Sequence, residues 1–161
     1  VKALTILLYY DRPNLLRNAL RSWEESASNH TDNQLVVNDD ASPNPAEPVV
    51  REVLGDDPRV SVRRSEMTLE KKAASGGLLG LALNRIIAGS DAHFAVLLCD
   101  DDMLHPAALW QTATFFEANP GVMSCYGNVL RYDPLKFKWW PGMSLAHNPP
   151  EDASPDGLPV D

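Results

Sequence analysis

The chain has 161 residues and a formal net charge of −8. That length suits one domain with a sound core, and the acidic balance argues against a nucleic-acid partner, because phosphate binding wants a basic face. No stretch approaches the ~20 apolar residues of a membrane span, and no signal peptide is recognisable.

Strand-like and helix-like segments alternate along the chain. Residues 4–9, Leu-Thr-Ile-Leu-Leu-Tyr, read as a buried strand. The next segment sets Leu15, Leu16, Ala19, Leu20 and Trp23 on one helical stripe, with Asp11 as N-cap and Pro13 in the first turn. Residues 34–38 supply a second strand closed by Asp39-Asp40, and Val49, Val50, Val53 and Leu54 mark a short helix. Residues 60–63 alternate apolar and polar, a third strand expected near a sheet edge. Residues 78–87 form an apolar helix, and the run from Phe94 to Cys99 a fourth strand. Pro106 opens a helix carrying Ala107, Leu109, Trp110, Ala113 and Phe116, which ends before Pro120-Gly121; residues 122–132 read as a fifth strand.

This alternation implies an α/β domain over residues 1–132, a mostly parallel sheet sandwiched by helices. Residues 133–161 are Pro-rich and aperiodic, and are expected to be a loop or tail. Cys99 and Cys125 lack metal-ligand spacing and are expected as small core residues of a protein in a reducing, cytoplasmic compartment. The first residue is not Met, so the chain reads as trimmed or as a piece of something longer.

Chemistry gathers at the strand ends. Asp100-Asp101-Asp102 follows the fourth strand directly. Carboxylates two apart on a strand share a face at roughly 7 Å, which costs about 2–3 kcal/mol at an effective dielectric of ~20. A hard divalent cation removes that penalty, and Mg²⁺ and Mn²⁺ prefer carboxylate oxygens. The bland alternative is a solvated turn with Asp102 capping the next helix. Tyr10-Asp11 and Asp39-Asp40 fall at two further strand ends, where open α/β sheets bind ligands. The spaced glycines of a dinucleotide fold and a Gly-Lys-Ser/Thr phosphate loop are missing. A phospho-receiver domain is disfavoured, because the third strand ends in Arg63-Arg64-Ser65, not in an acceptor aspartate.

Four segments in order carry a resemblance: Tyr10-Asp11-Arg12-Pro13-Asn14-Leu15-Leu16, Val36-Val37-Asn38-Asp39-Asp40-Ala41-Ser42, Ala82-Leu83-Asn84, and the stretch from Leu97 through Asp100-Asp101-Asp102 to Pro106. Over roughly residues 3 to 131 the chain resembles the family 2 glycosyltransferases, which have the Rossmann-like GT-A fold and an Asp-x-Asp metal motif. The resemblance implies a donor site for a nucleoside-diphosphate sugar, UDP-linked above all, with Mn²⁺ or Mg²⁺ as cofactor. It implies that Tyr10 packs on the base and Asp40 accepts from the base ring N–H. Asp11, Asp39, Asn84, Asp100 and Asp101 join them as donor-binding residues, with Asp100 facing the sugar or ribose and Asp101 and Asp102 as metal ligands. The reaction implied is inverting transfer to a hydroxyl of a saccharide, lipid or protein acceptor, with a metal stabilising the leaving diphosphate and a carboxylate as base.

Two departures stand out. Leu83 occupies the place before Asn84 where the family often has arginine, so phosphate grip is expected from Arg64, Lys71, Lys72 or Arg85. The family's base lies well past the metal element, whereas here Asp152 is the one weak candidate and the catalytic residue is unassigned. The chain therefore reads as a donor-binding half, its acceptor half missing or supplied by a partner chain, peripheral to a membrane at most. The alternative is a non-catalytic sugar-nucleotide-binding fragment or partner subunit.

Overall fold

The computed structural model describes residues 1–65, 79–125, 130–133 and 138–141. They fall into two compact units, Val1–Ala118 and Asn119–Asp161. The first contains β1 (Ala3–Tyr9), α1 (Pro13–Ser28), β2 (Asn33–Asp39), α2 (Ala46–Leu54), β3 (Val60–Arg64), α3 (Leu79–Ala88), β4 (Phe94–Cys99) and α4 (Ala108–Ala118). Its strands form one four-stranded parallel sheet in the order β3-β2-β1-β4. β3 is an edge strand, as its alternating pattern implied.

The strand order dictates where a ligand can enter. The chain moves outward from β1 through β2 to β3, then returns to place β4 on the other side of β1. Strand order thus reverses between β1 and β4, and loops leaving these two strands diverge to opposite sides. A crevice at the carboxyl ends follows from that divergence.

Alternation along the strands separates two apolar layers. Leu7 and Tyr9 of β1, Leu35 and Val37 of β2, and Phe94 and Leu98 of β4 face α1, α2 and α4. Leu4, Ile6 and Val36 face the opposite way, toward Ile86 of α3. On α1, Leu16, Ala19, Leu20 and Trp23 are buried as expected, whereas Leu15 is exposed and lies off the stripe. The guanidinium of Arg59 lies 5.3 Å from the centre of the Trp23 ring.

Two serines in the same stripe hold the segment that follows β4. Ser22 Oγ donates to the Ala19 carbonyl at 2.7 Å and accepts from Leu104 N–H at 3.0 Å. Ser26 Oγ accepts from Leu109 N–H, at the start of α4, at 3.1 Å. Asn29 Nδ2 donates to the Pro106 carbonyl at 3.1 Å. Helix α1 therefore fixes the path of the chain just beyond the acidic triplet.

Several expectations need correction. Asp11 does not cap α1; Arg12 occupies that position without a side-chain cap, and Pro13 begins the helix. Cys99 is not a core residue. It shares the α3 side of β4 with the exposed Ala95 and Leu97, because α3 packs over β1 and β2. The expected fifth strand, residues 122–132, is met only at its end: residues 126–129 lie outside the described residues, and residues 130–132 belong to a strand that pairs antiparallel and not with the four-stranded sheet. Val122 to Cys125 form no strand, and Met123 is exposed; a short apolar run takes strand form only with a partner to pair with. In the second unit β5 (Leu130–Asp133) pairs antiparallel with β6 (Lys138–Pro141), with Tyr132 opposite Trp139. The expected tail therefore contains a strand, whose four residues are too few to show a period. Among the described residues no helix is long and apolar enough to cross a membrane.

Candidate functional site

Register aligns three strand ends. Tyr9 lies opposite Asp39, and Leu8 lies opposite Cys99. Backbone bonds continue the alignment outward: Asp40 N–H donates to the Tyr9 carbonyl at 3.1 Å, and Asp100 N–H to the Leu8 carbonyl at 3.0 Å. Tyr10, Asp40 and Asp100 therefore leave the sheet side by side along one rim, although 90 residues separate the first from the last.

Beneath the rim lies a layer of buried carboxylates with internal partners. Asp39 is 1% exposed. Its Oδ1 accepts from Ser42 N–H at 2.8 Å, and its Oδ2 from Ala46 N–H at 3.0 Å and from Arg64 at 2.5 Å. Ala46 is the first residue of α2, so Asp39 satisfies a helix-start N–H that would otherwise lack an acceptor. Arg64 also donates to the Ser42 carbonyl at 2.7 Å. Its guanidinium therefore ties the end of β3 to this loop. Asp100, likewise 1% exposed, accepts from Tyr10 N–H at 3.1 Å and from Arg12. Asp100 thus joins the loops after β1 and β4 and has no side-chain oxygen turned to open solvent.

The loops after β1 and β2 are tied to each other. Asp11 adopts the left-handed backbone region (φ 53°), which aspartate tolerates better than most residues. Its N–H donates to Ser42 Oγ at 2.9 Å, and its Oδ1 accepts from Asn44 Nδ2 at 2.6 Å. Tyr9 and Ser42 hydroxyls both donate to the Asn44 carbonyl at 2.7 Å. Ser42 and Asn44 escaped the sequence reading as site residues. Their signal was the turn chemistry of Asp-Ala-Ser-Pro-Asn, which marks a loop and not its partner.

The upper layer is accessible. Tyr10 is 37% exposed. Asp101 and Asp102 are exposed, and a ligand atom from each lies within 4.8 Å of the other and of Cys99 Sγ. Burial, and then the charges of Asp102, Asp101 and Asp100, push the Cys99 thiol above its usual range. Of the three groups, the carboxylate oxygens are the donors a hard cation prefers. This donor set fits Mn²⁺ or Mg²⁺. Asp101 also accepts from Arg12 at 2.8 Å, a contact that sequence spacing did not reveal.

Asn84 and Arg85 are exposed on α3. Just past the triplet, His105 accepts from Ala107 N–H through Nδ1 at 3.2 Å, a helix-start role. Lys71, Lys72 and Asp152 lie outside the described residues.

No protein-family model and no curated protein sequence matches the chain. Solved structures do. The chain is similar to residues 1–349 of S. aureus TarS, with a TM-score of 0.61 and 21% identity over 74% of this chain and 33% of that one. The same values hold for that protein in complex with UDP. It is also similar to the mannosyltransferase PcManGT from Pyrobaculum calidifontis in complex with GDP-Man and Mn²⁺, with a TM-score of 0.61 and 19% identity over 84% of this chain and 37% of that one. The chain has the Rossmann-like α/β fold of these glycosyltransferase structures, and spans about a third of their length.

Proposed function

We propose that this chain binds the donor of a glycosyltransferase, a nucleoside-diphosphate sugar and preferentially a UDP-linked one, together with Mn²⁺ or Mg²⁺. The observation that carries the reading is the single rim at the β1–β4 switch point, which holds a partly exposed tyrosine on the β1 side and an exposed carboxylate pair on the β4 side. The fold shared with structures holding UDP, or GDP-Man and Mn²⁺, supports it.

Each residue has a role in this reading. Tyr10 offers a π-face for the base, and Asp40 beside it accepts the base ring N–H. Asp11 and Asp39 act from below, holding the loop that carries Asp40, while Asp100 fixes Tyr10 through its backbone. Asn84 contributes from α3. Asp101 and Asp102 hold the cation, which when bound supplies Lewis-acid stabilisation of the departing diphosphate. Catalytic assistance at the acceptor hydroxyl is unassigned, Asp152 being the one candidate named above. Donor binding is the property these residues supply, and transfer to a saccharide, lipid or protein hydroxyl is the expected reaction.

Calorimetric titration with UDP- and GDP-sugars, with and without Mn²⁺, tests the proposal. Micromolar binding that needs Mn²⁺ is expected, and Asp102→Ala should abolish the metal-dependent part while leaving thermal unfolding unchanged. Equal affinity in wild type and Asp102→Ala would overturn the cation assignment. A transfer assay then distinguishes an active enzyme from a sugar-nucleotide-binding partner subunit.

A further inference from the structure

The acidic triplet already has a cation of its own. Arg12, one residue before α1, reaches across the crevice and donates through one terminal nitrogen to Asp100 and through the other to Asp101 at 2.8 Å. The three aspartates are therefore not equivalent. Asp100 is buried, so the guanidinium is a permanent counter-charge for it; an ion pair of this kind is costly to break from one side. Asp101 is 48% exposed and Arg12 46%, so this second pair is weak and exchangeable. Asp102 is exposed and lies close to Asp101.

We propose that Arg12 is a positioning residue that sets the affinity of the rim for divalent cations by competing for Asp101. The inference rests on the reading of Asp101 and Asp102 as the cation pair. A fork-shaped guanidinium can serve two carboxylates at once, whereas a lysine ammonium on a shorter reach serves one. Arg12 keeps the buried Asp100 neutralised and simultaneously draws Asp101 away from an incoming ion. The cation must displace the outer half of this fork, while the inner half stays in place.

Titration of the full chain with Mn²⁺ alone, followed by the electron paramagnetic resonance of free Mn²⁺, tests the competition without reference to turnover. Arg12→Lys keeps a charge for Asp100 and frees Asp101, so Mn²⁺ should bind about two- to fivefold more tightly than to wild type. Arg12→Gln also removes a like charge near the ion, and should tighten binding about tenfold if it folds. In an Asp101→Asn background, Arg12→Lys should give no gain over Asp101→Asn alone. Unchanged or weaker Mn²⁺ binding in folded Arg12→Lys would overturn the proposal, as would an equal gain from Arg12→Lys in the Asp101→Asn background. Mn²⁺ binding by none of these proteins would overturn the cation pair itself, and this inference with it.

Discussion

The carboxylate of Asp39 faces inward to two backbone N–H groups and Arg64, while the next residue, Asp40, stands at the rim beside Tyr10. Asp39 ends β2 and is buried, whereas Asp40 lies just beyond the strand and is partly exposed, so two adjacent aspartates differ in their surroundings. Removing the inner one leaves Ser42 and Ala46 N–H groups without an acceptor and Arg64 without its carboxylate. Asp39→Ala should therefore destabilise the fold by about 3 kcal/mol or more, read from urea unfolding at pH 7. A loss below about 1 kcal/mol would show that the inner carboxylate does not hold the loop. The same division explains what the sequence showed of this site. Tyr10, Asp39, Asp40 and the triplet were recognisable because polar residues end apolar runs. The fork from Arg12 to Asp100 and Asp101 was not, because it crosses from the end of β1 to the end of β4.

Helix α1 illustrates the next scale. Its buried stripe contains Ser22 and Ser26 besides the apolar residues. Serines at i and i+4 within such a stripe are a signal that something polar docks there, and the structure shows the docked groups to be the N–H groups of Leu104 and Leu109. Ser26→Ala should cost about 1–2 kcal/mol, because Leu109 N–H is buried and would lose its acceptor. Urea unfolding measures it, and a change within 0.3 kcal/mol or so would place that bond outside the stabilising set. Elements with long periodic patterns, α1 and the strands β1, β2 and β4, were readable within a residue or two. Residues 122–125, read as strand, and the strand Lys138–Pro141, read as tail, were not, since pairing between short segments is set by their neighbours.

At the scale of the whole molecule, an acidic chain ties its surface together with basic partners. The side-chain hydrogen bond from Arg17 lowers the pKa of Glu52, that from Arg59 lowers Asp57, and that from Lys2 lowers Asp91. Each group has a folded pKa below its unfolded one, so its contribution is fully present above the ordinary values of 4.5 for Glu and 3.8 for Asp. The contribution fades as pH falls through the lower folded values. Thermal unfolding midpoints should thus stay level between about pH 7 and 5, then fall below about pH 4. A midpoint that held steady down to pH 3 would show that these pairs contribute nothing.

Local covalent facts decided much of this protein in one dimension. Apolar runs of strand length, helical stripes and acidic stops at strand ends all act over a few residues, so the α/β class and the polar strand ends followed from spacing, while the roles of the candidate residues followed from the family resemblance. Partnership was decided only by tertiary structure. Which carboxylate is buried, which arginine neutralises it, and whether an apolar run finds a neighbouring strand depend on groups far apart in the chain and a few ångströms apart in space. Hydrogen bonds and ion pairs act across that distance, and spacing along the chain does not encode it.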